Sequence, residues 1–226
     1  MEEQKNIQKN TDIPKRGQQQ YIKWFSEIGK NDVKTVGGKN ASLGEMFSNL
    51  TQKGIKVPNG FCITAKAYWY FLKENNLDAK LKKLFTTLNL KSIKSLQKTS
   101  RKARALVLNA DFPEDLQQQI FVAYGKLCHK YKKANTDVAV RSSATAEDSV
   151  KDSFAGQHET YLNVRGKWEV LKATRKSCAS LFTARAIAYR QERGFKQMEI
   201  GLSIAVQKMV RSDKASSGII FTLDTE

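Results

Sequence analysis

Residues 138–164 read VAVRSSATAEDSVKDSFAGQHETYLNV, and the fold turns on how that stretch is parsed. Val138–Arg141 and Tyr161–Val164 carry the β-branched and aromatic residues that suit strands. The residues between them are mostly Ser, Thr, Ala and acids, with one glycine, Gly156. Two strands need about two to six residues to connect them, so this segment is either a loose surface excursion or a lid over a ligand. Hydroxyls and a glycine are the ingredients of a loop that wraps a triphosphate.

Downstream of it, a single helix is expected over residues 167–193, ending at Gly194. Two further strands are expected at Leu202–Val210 and Gly218–Leu223, joined by a polar turn at Ser212 and Asp213. Upstream, Tyr21–Ile28 reads as a first strand. Val36-Gly37-Gly38-Lys39 is a glycine turn running into a helix, with Leu43, Met46, Phe47 and Leu50 at helical spacing and Gly54 beyond its end. Ser42 and Glu45 have the spacing of a capping box. Residues 57–64 read as a turn and a short strand, with Thr64 capping a helix over residues 65–75. Residues 77–133 are mostly helical in pattern. The clearest case opens with Pro113 and two acids and carries Leu116, Ile120, Ala123, Leu127 and Tyr131 on one face. The class that follows is α+β: a mobile polar tail over residues 1–20, then a helical part (about 65–133) inserted before a β-rich part (about 137–226).

A chain of 226 residues with 40% hydrophobic content is long enough for one sizeable core and too apolar for a disordered protein. Its longest apolar run, Ala67–Leu72, is far short of the roughly 20 residues that span a bilayer. The first twenty residues have no apolar segment of the secretory type. Three cysteines, Cys62, Cys128 and Cys178, are too few and too scattered for a zinc site or a disulfide framework, which suits reduced thiols in the cytoplasm. The net charge of +17 is carried by lysines and arginines spread along expected helices, as in Asp78–Arg104. Without a recognition signature beside them, no specific nucleic acid is expected. A solvated lysine-rich surface suffices, although its field favours any polyanionic ligand.

Few residues present themselves for chemistry. Lys39, beside Gly37 and Gly38 at a helix start, has the logic of a phosphate site, in which glycines admit the anion and backbone N–H groups receive it. An ordinary glycine turn explains the same residues, because neither a Walker A loop nor G-x-G-x-x-G is present. Arg141, ending a strand, can present its fork to phosphate oxygens or pair with Glu147 or Asp148 to hold the loop. Glu147, Asp148 and Asp152 read as metal contacts or as solvated acids. His129 suits a helix C-terminus, and His158 completes no catalytic constellation. Gln207, inside the apolar SIAVQKMV, needs a partner: a base edge or a backbone group.

In order along the chain, VGGKNASLGEM, VPNGFCITAKAYWYFL, VAVRSSATAEDSVKDSFAGQHETYLNV, SLFTARAIAYR and LSIAVQKMVRSDKASSGIIFTLDTE resemble the N-terminal region of the phosphoenolpyruvate synthase (pyruvate, water dikinase) family. The likeness covers residues 21–226; pyruvate, phosphate dikinase and rifampin phosphotransferases are more distant relatives of the same module. It implies an ATP-grasp-like domain whose lobes close on Mg-ATP. By motif, Lys39 and Arg141 are then the phosphate contacts, with Arg141 catalytic; Gly156 and Thr160 are lid contacts and Gln207 faces adenine. The family reaction makes phosphoenolpyruvate, AMP and phosphate from pyruvate, ATP and water through a phosphohistidine on a swivelling domain. Against that pattern the chain is C-terminally incomplete. Its Mg2+ ligands are expected beyond residue 226, none of its own residues is assigned to metal, and pyruvate is met only through missing domains. The alternatives are a truncated non-catalytic nucleotide-binding module and a rifampin-phosphotransferase-like ATP domain. A homodimer is compatible with the full-length family. Two positions depart: Cys178 stands where relatives carry Trp, and Ala184 where they carry an acid.

Overall fold

In the structure, a computed structural model, residues 19–145 and 159–219 are described. Five strands form one antiparallel sheet in the order β1-β2-β5-β3-β4. They are β1 (Ile22–Trp24), β2 (Gly60–Ile63), β3 (Val138–Ala144), β4 (Thr160–Val164) and β5 (Leu202–Lys208). The middle of the sheet is the long β3–β5 ladder, in register from Val138 opposite Lys208 to Ala144 opposite Leu202. Eight helices are described: α1 (Val33–Val36), α2 (Gly38–Thr51), α3 (Ala65–Glu74), α4 (Leu77–Thr86), α5 (Ile93–Leu108), α6 (Glu114–Lys130), α7 (Lys167–Ser180) and α8 (Ala184–Glu192).

Alternation along the strands gives the sheet two unlike faces. Val138, Val140, Ala144, Leu202, Ile204 and Val206 join Phe71, Leu72, Leu116 and Ile120 in the main core, under the helices between Ala65 and Lys130. Each such side chain withdrawn from water contributes roughly 1.5–3 kcal/mol. The opposite face carries small residues, Cys62 and Ala205, in a second cluster with Phe25, Val36 and Ala41. Short side chains there let α2 lie close against one end of the face.

The α+β class is as expected, and several local expectations are corrected. The first strand is only three residues long, because the chain turns into a 3₁₀ segment at Phe25–Glu27 that buries Phe25. Ser42 does not cap α2. The helix begins at Gly38, so Ser42 is already inside it, and the Glu45 carboxylate instead accepts from the Lys30 N–H and the Asn49 amide. The helix expected over residues 167–193 is two helices. Between them Leu181 and Phe182 turn into the core, and Thr183 caps α8 by accepting from the Ala186 N–H. β3 runs on to Ala144, past the expected end at Arg141, and β5 stops at Lys208. Gly218 and Ile219 have no regular structure, and the rest of that expected strand lies outside the described residues. Thr64 does cap α3, accepting from the Ala67 N–H.

Candidate functional site

The face that α2 covers at one end is open at the other, and three of the predicted site residues, Arg141, Thr160 and Gln207, lie there. Partners directly across an antiparallel ladder share a face. Arg141 lies opposite Thr160 on β4 and opposite Ala205 on β5. Two residues along, Gln207 lies opposite Ala139 on β3 and Gly60 on β2. Arg141, Thr160 and Gln207 therefore project from the same surface. They line a cleft of about 410 Å³ whose other walls include Pro58, Leu162 and Val210.

Leu162 and Val210 are 59% and 62% exposed, unusually open for aliphatic side chains, and both line the cleft. Gln207 is half-buried, and its Nε2–H donates to the Pro58 carbonyl at 3.2 Å. The backbone partner is thus the one observed. It fixes which end of the amide is used, since only the nitrogen can donate to a carbonyl, and leaves Oε1 as an acceptor.

Lys39 does not line this cleft; it is the second residue of α2, at the covered end of the same face. Gly37 holds that end in place, at φ +74° with ψ 160°, a conformation that suits glycine. A Cβ there would strike Ser143 Oγ and come within 2.8 Å of the Ala144 carbonyl, so the turn lies directly on the end of β3. One residue into the helix after Lys39, the Asn40 side chain donates to Ser203 Oγ at 3.1 Å, and Ser203 in turn donates to the Ile63 carbonyl at 2.8 Å. Ser143 Oγ is buried beneath the turn with no hydrogen-bond partner among the described residues. Along β3 the order is glycine turn at Ser143, Arg141, then the Gln207 register at Ala139, a span of roughly 13 Å at strand rise.

The floor near Gln207 is secured by an ion pair that sequence reading missed. Lys208 Nζ lies 3.0 Å from Asp137 Oδ2 and 2.7 Å from the Met209 carbonyl, with the Tyr131 ring beneath it. Both side chains are nearly buried, at 10% and 5% exposure. Burial works to raise the Asp137 carboxyl, but hydrogen bonds from Lys208 and its own backbone N–H, with Lys133 nearby, hold it below its ordinary value. Leu162, Val210 and this pair carried no sequence signal, because their roles come from register and packing. Gly156, His158, Glu147, Asp148 and Asp152 lie outside the described residues. His129 stands exposed in the last turn of α6, away from the cleft. Among the described residues no three His, Cys, Asp or Glu side chains are grouped to hold a metal ion.

A helix start on a glycine turn, a cation, and an amide between apolar walls form one line on one sheet face. Residues 33–226 match the family described as pyruvate phosphate dikinase, AMP/ATP-binding domain. The chain belongs to that family. Among curated proteins it is 53% identical over 209 residues to a phosphoenolpyruvate synthase of Synechocystis, with 91% of the chain and 26% of that protein covered. It is 51% identical to the phosphoenolpyruvate synthase of Aquifex aeolicus, over 91% of the chain and 24% of that protein. A probable phosphoenolpyruvate synthase of Methanocaldococcus jannaschii is 44% identical, over 90% of the chain and 17% of that protein. The chain therefore spans about a quarter or less of the length of these relatives, and it corresponds to the AMP/ATP-binding region of the dikinase family.

Proposed function

We propose that the open sheet face binds ATP in an extended pose, with its phosphates toward Lys39 and Arg141 and its base between Leu162 and Val210. The observation that carries this reading is the common face and linear order of the glycine turn, Arg141 with Thr160, and Gln207. The turn is packed tightly on the end of β3, which fixes the start of α2, and the N–H groups of that first helical turn suit an anion. Arg141 offers a planar fork to phosphate oxygens from an exposed strand position. Gln207 Oε1, left over from the Pro58 bond, suits an exocyclic amine such as that of adenine.

On this reading the chain is the ATP-binding part of a phosphoenolpyruvate synthase, with Gly156 completing the contacts and the two lobes of an ATP-grasp-like domain closing on the nucleotide. The whole reaction would convert pyruvate, ATP and water to phosphoenolpyruvate, AMP and phosphate, with the phosphoryl group relayed by a histidine of another domain. Mg2+ would accompany the triphosphate. Among the described residues no three His, Cys, Asp or Glu side chains are grouped to hold it. Three buried free cysteines suit a cytoplasmic setting.

Isothermal calorimetry with Mg-ATP tests the proposal. Saturable binding is expected, and Arg141→Ala and Lys39→Ala should each weaken it about tenfold or more, the worth of a charge-assisted hydrogen bond. The unfolding midpoint of Arg141→Ala should not move, because the side chain is exposed. No saturable binding, or unchanged affinity in both variants, would refute the assignment.

A further inference from the structure

We propose that the groove between α4 and α5 is a docking surface for an acidic, amphipathic helix of a partner protein. Between Leu77 and Leu108 the chain has nine Lys and Arg residues against a single acid, Asp78. The two helices pack side by side, joined by residues 87–92, the arrangement of an antiparallel helical hairpin. One side of the hairpin is committed to the main core through Leu81, Ala103 and Val107, each with no exposed surface. Its other side leaves a groove of about 690 Å³. Leu84, Leu106 and Ala110 contribute to its floor, and Lys80, Lys83 and Lys102 rise from its rim.

Two packed helices with an apolar seam on their free side are two members of a three-helix arrangement. A third helix with leucine-type side chains at i, i+3, i+4 and i+7 would fill the seam, as in helix-in-groove recognition. The charge of that helix follows from the rim. Among the described residues none of Lys80, Lys83 or Lys102 is ion-paired with a carboxylate, and Lys80 Nζ reaches only the Asn75 carbonyl. Glutamates or aspartates flanking the apolar stripe would neutralise the rim and set the direction of approach. At the hairpin tip, Leu90 and Ile93 are 39% and 72% exposed, each followed directly by a lysine, Lys91 and Lys94, which extends the same apolar-beside-basic pattern. The aliphatic floor fits neither a sugar-phosphate backbone, which is polar, nor a bilayer, which requires a protruding apolar surface rather than a concave one.

The test uses the full chain and a synthetic helix of about 16 residues, with Leu at the stripe positions and Glu elsewhere. Fluorescence anisotropy should show saturable binding that weakens with added salt. The double variant Lys83→Glu/Lys102→Glu should weaken it about tenfold or more, since both reversals set like charges against the peptide. Leu106→Ser should weaken it separately. The two charge reversals should leave the unfolding midpoint in place, and Leu106→Ser should lower it modestly because Leu106 also packs against the main core. All three should leave Mg-ATP binding in place, which keeps this surface distinct from the cleft. The proposal is overturned by absence of binding, or by equal binding of a scrambled peptide of the same composition. Tighter binding of duplex DNA at the same salt concentration, or indifference to the double charge reversal, would overturn it equally.

Discussion

Gly37 joins local backbone chemistry to the site more directly than any other residue. Its positive φ and its contact with Ser143 and Ala144 both exclude a side chain. Gly37→Ala should therefore destabilise the protein by about 2 kcal/mol or more and weaken ATP binding, because α2 must lift from β3 to admit the Cβ. Urea unfolding and calorimetry on the same variant would show both effects; a fully stable variant would contradict the close approach. Asp137 makes a second residue-scale prediction. Its carboxyl is held below its ordinary value, so the stability it contributes is present above about pH 4 and lost as pH falls through the lowered folded value. Asp137→Asn should cost about 3 kcal/mol at neutral pH, by leaving Lys208 nearly buried without its counter-charge. The variant should also show a flatter loss of stability in acid than the parent, which thermal unfolding across a pH series would measure. At this scale the candidate residue types were visible without coordinates: an Arg in a strand and Gln207 in an apolar run, although Arg141 lies in the middle of β3 and not at its end. Which atom bonds Pro58, and that Lys208 meets Asp137 from 71 residues away, are not.

At the scale of elements, the divided helix is the most informative departure. Residues 167–193 have helical periodicity throughout, yet Leu181 and Phe182 are 1% exposed and the Phe182 ring stacks on Phe85 at 6.0 Å. Ser100 Oγ donates to the Phe182 carbonyl at 2.8 Å, satisfying a group that a continuous helix would have used internally. Burial of two large side chains thus outweighs a few helical hydrogen bonds, which are worth about 1 kcal/mol each net of water. Thr183 then restarts the chain as the cap of α8. Thr183→Ala should cost about 1 kcal/mol, read as a lowered urea midpoint with an unchanged slope. No change in midpoint would mean that packing alone starts the second helix. The capping box expected at Ser42 and Glu45 failed for a related reason. The helix start is fixed by the seat of Gly37 on β3, five residues before the cap at Ser42 that local rules select.

At the scale of the whole molecule, a net charge of +17 surrounds a site expected to receive a polyanion. Association of ATP should therefore slow by about tenfold between about 0.01 and about 0.5 M salt, as the field is screened. Stopped-flow measurement would check this, and a rate indifferent to salt would show that the charge lies too far away or is too evenly spread to steer. Composition, periodicity and motif order in the sequence determined the α+β class, the approximate place of each long helix, and the residue types of the site. These depend on local spacing and side-chain chemistry, which the linear chain displays. The tertiary structure alone decided that β3 and β5 pair along seven residues, with β2 and β4 outside them, so that Arg141, Thr160 and Gln207 share one face. It also decided that Gly37 closes one end of that face and that the α4–α5 seam is left open. Strand order and register arise from contacts between residues tens to well over a hundred positions apart. Their energies come from burial, and no local pattern in the chain records them.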